Sequence, residues 1–208
     1  MQTEYLIIGQ GISGTFLSWY LKKAGKSFII IDNANPASSS RVAAGIINPV
    51  TGRRIVQTWM IDTLLPYAFN AYNEIGKELN IEAITQKNII DFFPSPQMVN
   101  AFHERYQEDP KYLSLPQNQQ SFNKYFNYDF GFGEISPAYA VNLAGLIPAW
   151  RKQINIVEED FDISFLNLTS SGITYKDISA GKVFFCNGIA ASGYTYFNKL
   201  PFALNKGQ

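Results

Sequence analysis

The ten residues YLIIGQGISG, positions 5–14, decide how the rest of the chain is read. Tyr5-Leu6-Ile7-Ile8 is an apolar run of the kind that forms a parallel strand buried on both faces. It ends in Gly9-Gln10-Gly11-Ile12-Ser13-Gly14, a GxGxxG. Downstream, Ile12, Phe16, Leu17, Tyr20, Leu21 and Ala24 recur at helical spacing, which predicts one apolar helix face. Gly25 stops that helix, and Ser27–Ile31 reads as a second strand closed by Asp32. Strand, glycine turn, helix, strand and acid in this order form a βαβ unit for a dinucleotide. Gly9 permits the tight turn, Gly11 lets a diphosphate approach the main chain, and Gly14 lets helix and strand pack closely. The helix N-terminus adds unpaired N–H groups and a partial positive charge. Asp32 can accept from both ribose hydroxyls, and its charge disfavours a 2′-phosphorylated cofactor.

Composition narrows the class further. The chain has 208 residues, of which 46% are hydrophobic and 16% charged, so it folds rather than staying disordered. A chain of this length buries roughly 70% of its unfolded surface. Lys+Arg and Asp+Glu are 17 each, so no basic field gathers nucleic acid or an anionic membrane. The single cysteine, Cys186, rules out an internal disulfide and fits a reducing, cytoplasmic setting. The first residues lack the basic region and length of a signal peptide, and no apolar run approaches the ~20 residues of a membrane span.

The βαβ unit alone leaves NAD and FAD open, because both carry ADP. After Asp32 the chain reads NANPASSSRVAAGIINPV, residues 33–50, where a plain NAD domain brings its next helix early. Ser38, Ser39 and Ser40 supply hydroxyl and N–H groups for a diphosphate or a helix cap. Ala43-Ala44-Gly45 lets the main chain lie against a flat ring, or forms a seam of small residues.

Residues 32–49, DNANPASSSRVAAGIINP, resemble the second FAD-binding segment of the D-amino acid oxidase family of flavoproteins. That segment carries an acid, a proline loop, a Ser/Thr triplet, Ala-Ala-Gly and a following proline. The resemblance implies that Asp32 binds the ADP ribose and that Ser39 and Ser40 lie by the diphosphate. It also implies that Ala44, Gly45 and Ile46 run along the isoalloxazine. Arg41 stands where the oxidase pattern has an acid. VFFCNG, residues 183–188, is similar to the family's strand and small-residue turn beside the cofactor, with Asn187 in place of threonine. Phe161 matches a position whose backbone meets the adenine. Motif and resemblance together give a cofactor-binding set of Gly9, Gly11, Ile12, Ser13, Gly14, Asp32, Asn33, Ser39, Ser40, Arg41, Ala43, Ala44, Gly45, Ile46, Phe161, Asn187 and Gly188. No catalytic side chain and no metal ligand is assigned.

Elsewhere the patterns predict ordinary elements. Ile55–Leu79 reads as one long amphipathic helix, kinked or split at Pro66. Ile89–Phe93 reads as a strand and Gln97–Gln107 as a helix bearing the lone His103, a surface residue. Residues 114–124 read as a loop. Tyr125–Phe132 alternates, which predicts a strand with an aromatic face, either packing or lining a substrate pocket. Ser136 and Pro137 read as the start of a helix running to about Lys152 and disturbed at Pro148. Ile154–Val157, Phe161–Leu168 and Ile173–Tyr175 read as strands, the last two joined as a hairpin through Thr169–Gly172. Lys182–Phe185 is the last strand, and Cys186 a buried residue rather than a nucleophile. Arg53 and Arg54 either steer an anionic substrate or are solvated.

The fold class is therefore α/β, a Rossmann-like FAD-binding domain (parallel sheet with a β-hairpin) interleaved with part of a mixed α+β substrate domain. The boundaries are set at 1–80 and 133–195 for the first, and 81–132 and 196–208 for the second. LPFALNKGQ, residues 200–208, resembles the family's crossing strand into the second domain, and the resemblance implies further chain beyond it. The implied function is FAD-dependent oxidation of a C–N bond in an amine or amino acid, a small-molecule partner. The alternatives are another small substrate (a 2-hydroxy acid, a glycine-like amine, a modified tRNA nucleoside) or a cofactor-binding module without turnover.

Overall fold

A computed structural model describes residues 1–52, 54–170 and 172–201. In chain order the strands and helices are β1 (Gln2–Ile8), α1 (Ile12–Lys23), β2 (Phe28–Ile31), α2 (Ser39–Val42), β3 (Ile46–Ile47), β4 (Val50–Thr51), β5 (Val56–Gln57) and α3 (Ile61–Leu79). There follow β6 (Ile84–Gln86), β7 (Ile89–Phe92), α4 (Pro96–Glu108), β8 (Leu113–Ser114), β9 (Phe132–Ile135), β10 (Tyr139–Val141) and α5 (Leu143–Arg151). The order closes with β11 (Ile156–Val157), β12 (Leu166–Thr169), β13 (Gly172–Tyr175) and β14 (Ile178–Phe185). No helix among the described residues is long and apolar enough to cross a membrane.

Two compact units divide the chain. The first comprises Met1–Ala43 and the described residues from Leu143 onward, and the second Ala44–Asn142. In the first unit one sheet has the order β11-β2-β1-β14-β13-β12. β11, β2, β1 and β14 run parallel, and β13 and β12 return antiparallel as the expected hairpin. β1 is central because Leu6, Ile7 and Ile8 carry apolar side chains to both faces, and all three are buried. One face packs Leu6, Ile8, Ile29, Ile31, Tyr175 and Ile178 into a core, each large side chain contributing about 1.5–3 kcal/mol.

The apolar face expected on α1 is not its buried face. Gly14, Thr15, Ser18 and Trp19 are buried, whereas Tyr20 and Ala24 are exposed. Small polar residues face inward because α5 lies against α1, and their hydroxyls find partners there. Trp150 Nε1 donates to Ser18 Oγ at 2.8 Å, and Gln10 Nε2 donates to Thr15 Oγ1 and to the Ile147 carbonyl, both at 3.1 Å.

The second unit holds three small sheets: β3-β10-β6, β4-β5 and β7-β9-β8. Ile61 and Leu65 from α3 join Phe93, Phe102, Tyr112 and Ile135 in its core. That core is why residues 44–80 fall with this unit, although the sequence pattern alone puts them with the nucleotide fold. Likewise residues 133–142 pair as β9 and β10 with strands of the second unit. Phe197 packs on Phe185, ring centroids 5.2 Å apart, so the chain around 197 falls with the first unit instead.

Several expected elements change. Residues 55–60 are not helical: Val56–Gln57 pairs antiparallel with Val50–Thr51, and the helix starts at Ile61 after Met60 in a left-handed conformation. The helix then runs unbroken through Pro66. No strand forms over 125–131. The Tyr125 and Phe126 N–H groups both donate to the Phe122 carbonyl, which turns the chain, and the strand begins only at Phe132. Phe122, Phe126, Tyr128 and Phe132 instead surround the ring of Phe92. Ser136 does not cap a helix. Its N–H donates to the Tyr112 carbonyl, the Ser136–Pro137 bond is cis, and α5 starts at Leu143. The strand expected from Phe161 begins at Leu166, because the Asp162 carboxylate caps a 3-10 turn over Ile163–Phe165. His103 is exposed on α4. Arg54 is exposed, while Arg53, Ser171 of the hairpin turn and residues 202–208 of the expected crossing strand lie outside the described residues.

Candidate functional site

The ends of β1 and β14 meet at Gly9. Its N–H donates to the Ile31 carbonyl at 2.8 Å, and Cys186 N–H donates to the Ile8 carbonyl at 2.6 Å. Gly9 has a φ of 96°, a region that L side chains avoid, and a Cβ there would lie 2.7 Å from the Cys186 oxygen. A Cβ on Gly14 would fall inside the van der Waals shell of the Gly9 carbonyl. Gly14 therefore works by letting α1 close onto the strand end, the packing role its place in the motif predicts.

Above this turn lies a cleft of about 730 Å³, lined entirely by residues of the first unit. Its lining includes Gly9, Gly11, Ile12, Ser13, Asp32, Asn33, Ser39, Ser40, Arg41, Phe161, Asn187 and Gly188 from the predicted set. Gly14 and Ala43 are not among its lining residues. Ala44, Gly45 and Ile46 belong to the second unit, where the Gly45 carbonyl accepts from Val141 N–H at 2.8 Å. Asn33 Nδ2 donates to Asp160 Oδ1 at 2.6 Å at the rim. Phe161 stacks on Tyr175, with centroids 5.0 Å apart.

Asp32 holds the densest network. Its Oδ2 accepts from Gln10 N–H at 2.8 Å. Its Oδ1 accepts from Ala34 N–H at 2.9 Å, Arg151 Nη1 at 2.8 Å and Arg41 Nη2 at 3.3 Å. Burial pushes the carboxyl up, but the two N–H groups and two guanidiniums outweigh it and hold Asp32 below the ordinary carboxylate value. Arg151 and Gln10 are not in the predicted set. Arg151 sits in the last turn of α5, and Gln10 occupies a variable position of the glycine motif, so neither carries a local signal. Tyr194 is also absent from that set; it lines the cleft and accepts from Asn187 Nδ2 at 2.8 Å.

The donors along the cleft fit a dinucleotide. The first turn of α1 holds no acid, and Ile12 N–H donates to Ser40 Oγ at 3.0 Å, with Arg41 in the same lining. The ionised Asp32 stands beside Arg41 and offers acceptor oxygens next to these donors. Asn187 lines the cleft, and its side-chain oxygen is buried with no hydrogen-bond partner among the described residues. Cys186 also lines the cleft, and burial pushes its thiol up to about 11, which keeps it protonated.

Known proteins share this architecture. The chain is similar to glycine oxidase from Geobacillus kaustophilus, with a TM-score of 0.69, 15% identity, and coverage of 92% of this chain and 56% of that one. It is similar to L-amino acid deaminase from Proteus myxofaciens, with a TM-score of 0.66, 13% identity, and coverage of 90% and 46%. A Bacillus subtilis (strain 168) protein described as an uncharacterized oxidoreductase, YurR, is 36% identical over 56 residues, 27% of this chain and 15% of that protein. The chain thus spans about half the length of the solved structures it matches. The family model described as DAO, FAD dependent oxidoreductase, matches residues 4–124, more than half of the sequence, and the chain belongs to that FAD-dependent family.

Proposed function

We propose that this chain is the flavin-binding part of an oxidoreductase that oxidises a C–N bond of an amine or amino acid. The observation that carries the reading is the cleft itself, which brings the glycine turn, the Ser39 and Ser40 hydroxyls and the Arg41 guanidinium together with an ionised Asp32. In this reading the first turn of α1, Ser39, Ser40 and Arg41 hold the diphosphate, and Asp32 accepts from the adenosine ribose. Gly11 leaves the main chain bare beside Ser40, Gly9 lets the ends of β1 and β14 close up, Gly14 closes the helix behind them, and Ile12 N–H holds the Ser40 hydroxyl next to Ser13 in the lining. Asn33, Phe161, Asn187 and Gly188 form the walls around the nucleotide. Ala43, Ala44 and Ile46 are exposed and Gly45 lies against β10, and in this reading the stretch contacts the flat ring.

When bound, FAD supplies the acceptor that takes a hydride from a carbon beside nitrogen, leaving an imine that water hydrolyses. The protein's part is to bind, orient and exclude water. The solved neighbours named above are a glycine oxidase and an L-amino acid deaminase, which supports an amino-acid or amine substrate. A 2-hydroxy acid or a modified tRNA nucleoside is the competing substrate class. Under this division the first unit is the FAD domain and the second contributes to the substrate domain. A second reading, a flavin-binding module without turnover, draws support from the cleft's being lined wholly within the first unit.

Flavin absorbance that co-purifies and is released on denaturation is the expected result. Colourless protein that takes up neither added FAD nor ADP would overturn the reading. Bleaching of the bound flavin under anaerobic conditions by glycine or another amino acid separates the enzyme from the module.

A further inference from the structure

The two arginines on Asp32 are held differently. Arg151 makes short bonds, 2.8 Å to Asp32 Oδ1 and 2.8 Å to Glu158 Oε2, with a further 3.3 Å bond to the Asp32 carbonyl. Arg41 makes only long ones: 3.3 Å to Asp32, 3.3 Å to Ser38 Oγ, 3.4 Å to Gln10 Oε1 and 3.5 Å to the Asn35 carbonyl. Arg41 lines the cleft and Arg151 is not among its lining residues. Both side chains are 17% exposed, so solvent screens neither strongly. Arg151 has a second carboxylate in Glu158, so Asp32 keeps a charge partner if Arg41 leaves it. Arg41 is the one cation among the described residues that line the cleft, where Asp32, Glu159 and Asp160 are the acids.

We propose that the two arginines have separate roles in holding the dinucleotide. Arg151 is a positioning residue that fixes Asp32 for the adenosine ribose, and Arg41 is the cation that pairs with the diphosphate. The long bonds of Arg41 are cheap to exchange for charge-assisted bonds to phosphate oxygens. The short bonds of Arg151 keep Asp32 ionised and aimed once Arg41 has turned away. Gln10, fully buried, steadies both arginines by accepting from each through Oε1. This inference rests on the dinucleotide reading of the cleft.

Binding of FAD, ADP and adenosine to the full chain tests it, with FAD followed by fluorescence quenching and the others by competition or calorimetry. Arg41→Met should weaken ADP and FAD about tenfold or more while adenosine stays within about twofold. Arg151→Met should weaken adenosine and ADP by the same factor, about tenfold, because a ribose contact is common to both. Arg151→Lys, which keeps the charge and packs in the same space, should show the same equal loss in smaller degree. It serves if the methionine variant does not fold. A purely structural role for Arg41 would lower adenosine and ADP alike, and that result overturns the division. Loss of ADP but not adenosine in the Arg151 variants also overturns it. A wild-type chain that binds neither FAD nor ADP overturns the flavoprotein reading and this inference with it, whereas intact wild-type binding with unchanged variants overturns this inference alone.

Discussion

Arg151 Nη1 donates to Asp32 Oδ1 at 2.8 Å across 119 positions of sequence. The bond ties the end of β2 to the last turn of α5. It links the acid of the βαβ unit to a helix that follows the second unit in the chain. The acid of the nucleotide motif is thus oriented by tertiary structure as well as by its own loop.

Asp32→Asn removes the charge that both guanidiniums face. A carboxyl held below its ordinary value contributes stability that is fully present above its unfolded pKa of about 4 and is lost as pH falls through the folded value. The wild type should therefore lose melting temperature steeply below about pH 4. Asp32→Asn should start lower at pH 7, by about 1–3 kcal/mol, and show a shallower loss on acidification. Calorimetry from pH 7 to pH 3 (both values bracket the ordinary carboxylate range) checks this. Equal acid slopes for the two proteins would contradict it.

Gly14→Ala and Gly25→Ala should differ in kind. A Cβ on Gly14 meets the Gly9 carbonyl at the contact between α1 and the strand end, so the helix must move. The expected cost is about 3 kcal/mol, with loss of nucleotide binding. Gly25 has a φ of 67° but nothing within 4 Å of its added Cβ. Its substitution should cost only the left-handed backbone strain, about 1–2 kcal/mol, and leave nucleotide binding intact. Melting temperatures and ADP affinity of the two variants, side by side, make the comparison.

The βαβ unit is legible in sequence because its signals are local. An apolar run, three glycines, a helix and an acid lie within the first 32 residues and read in one pass. The buried face of α1 is not legible, because burial there is set by α5. Ser18 and Thr15 are inside because Trp150 and Gln10 reach them, which no periodicity reports. Tyr125–Phe132 alternates as a strand does, but its aromatics gather round Phe92 from a turn. A two-residue period and a folded aromatic cluster look alike in sequence. The unit boundary at Ala43 is hidden because an amphipathic pattern does not say which core its helix joins; only the packing of Ile61 and Leu65 with Phe93 and Phe102 assigns α3.

Ser18→Ala tests that inward polar face. Trp150 is fully buried, and its indole N–H would lose its 2.8 Å acceptor. An unsatisfied buried donor costs about 1–3 kcal/mol, so urea midpoints should fall accordingly. Combining Ser18→Ala with Trp150→Phe removes donor and acceptor together. The double variant should then lose less than the sum of the singles. Strict additivity would show that the bond contributes nothing beyond packing.

Cys186 offers a readout of the cleft that does not depend on turnover. Burial pushes its thiol up to about 11, so the reactive thiolate is scarce at pH 8, about one part in a thousand. In the unfolded chain the thiol returns to about 8.5, and a substantial fraction is thiolate at the same pH. Iodoacetamide at pH 8 should therefore label the native protein about a hundredfold more slowly than the denatured one. The native rate should climb close to tenfold for each pH unit between about 8 and 10, because thiolate concentration limits it. Cys186 lines the same cleft as Gly9, Asp32 and Asn187, so saturating FAD should slow labelling further. ADP should slow it less wherever the flavin end of the dinucleotide covers the sulfur. Native labelling at the denatured rate would mean that the thiol is not buried, and labelling indifferent to bound FAD would place the dinucleotide away from the end of β14.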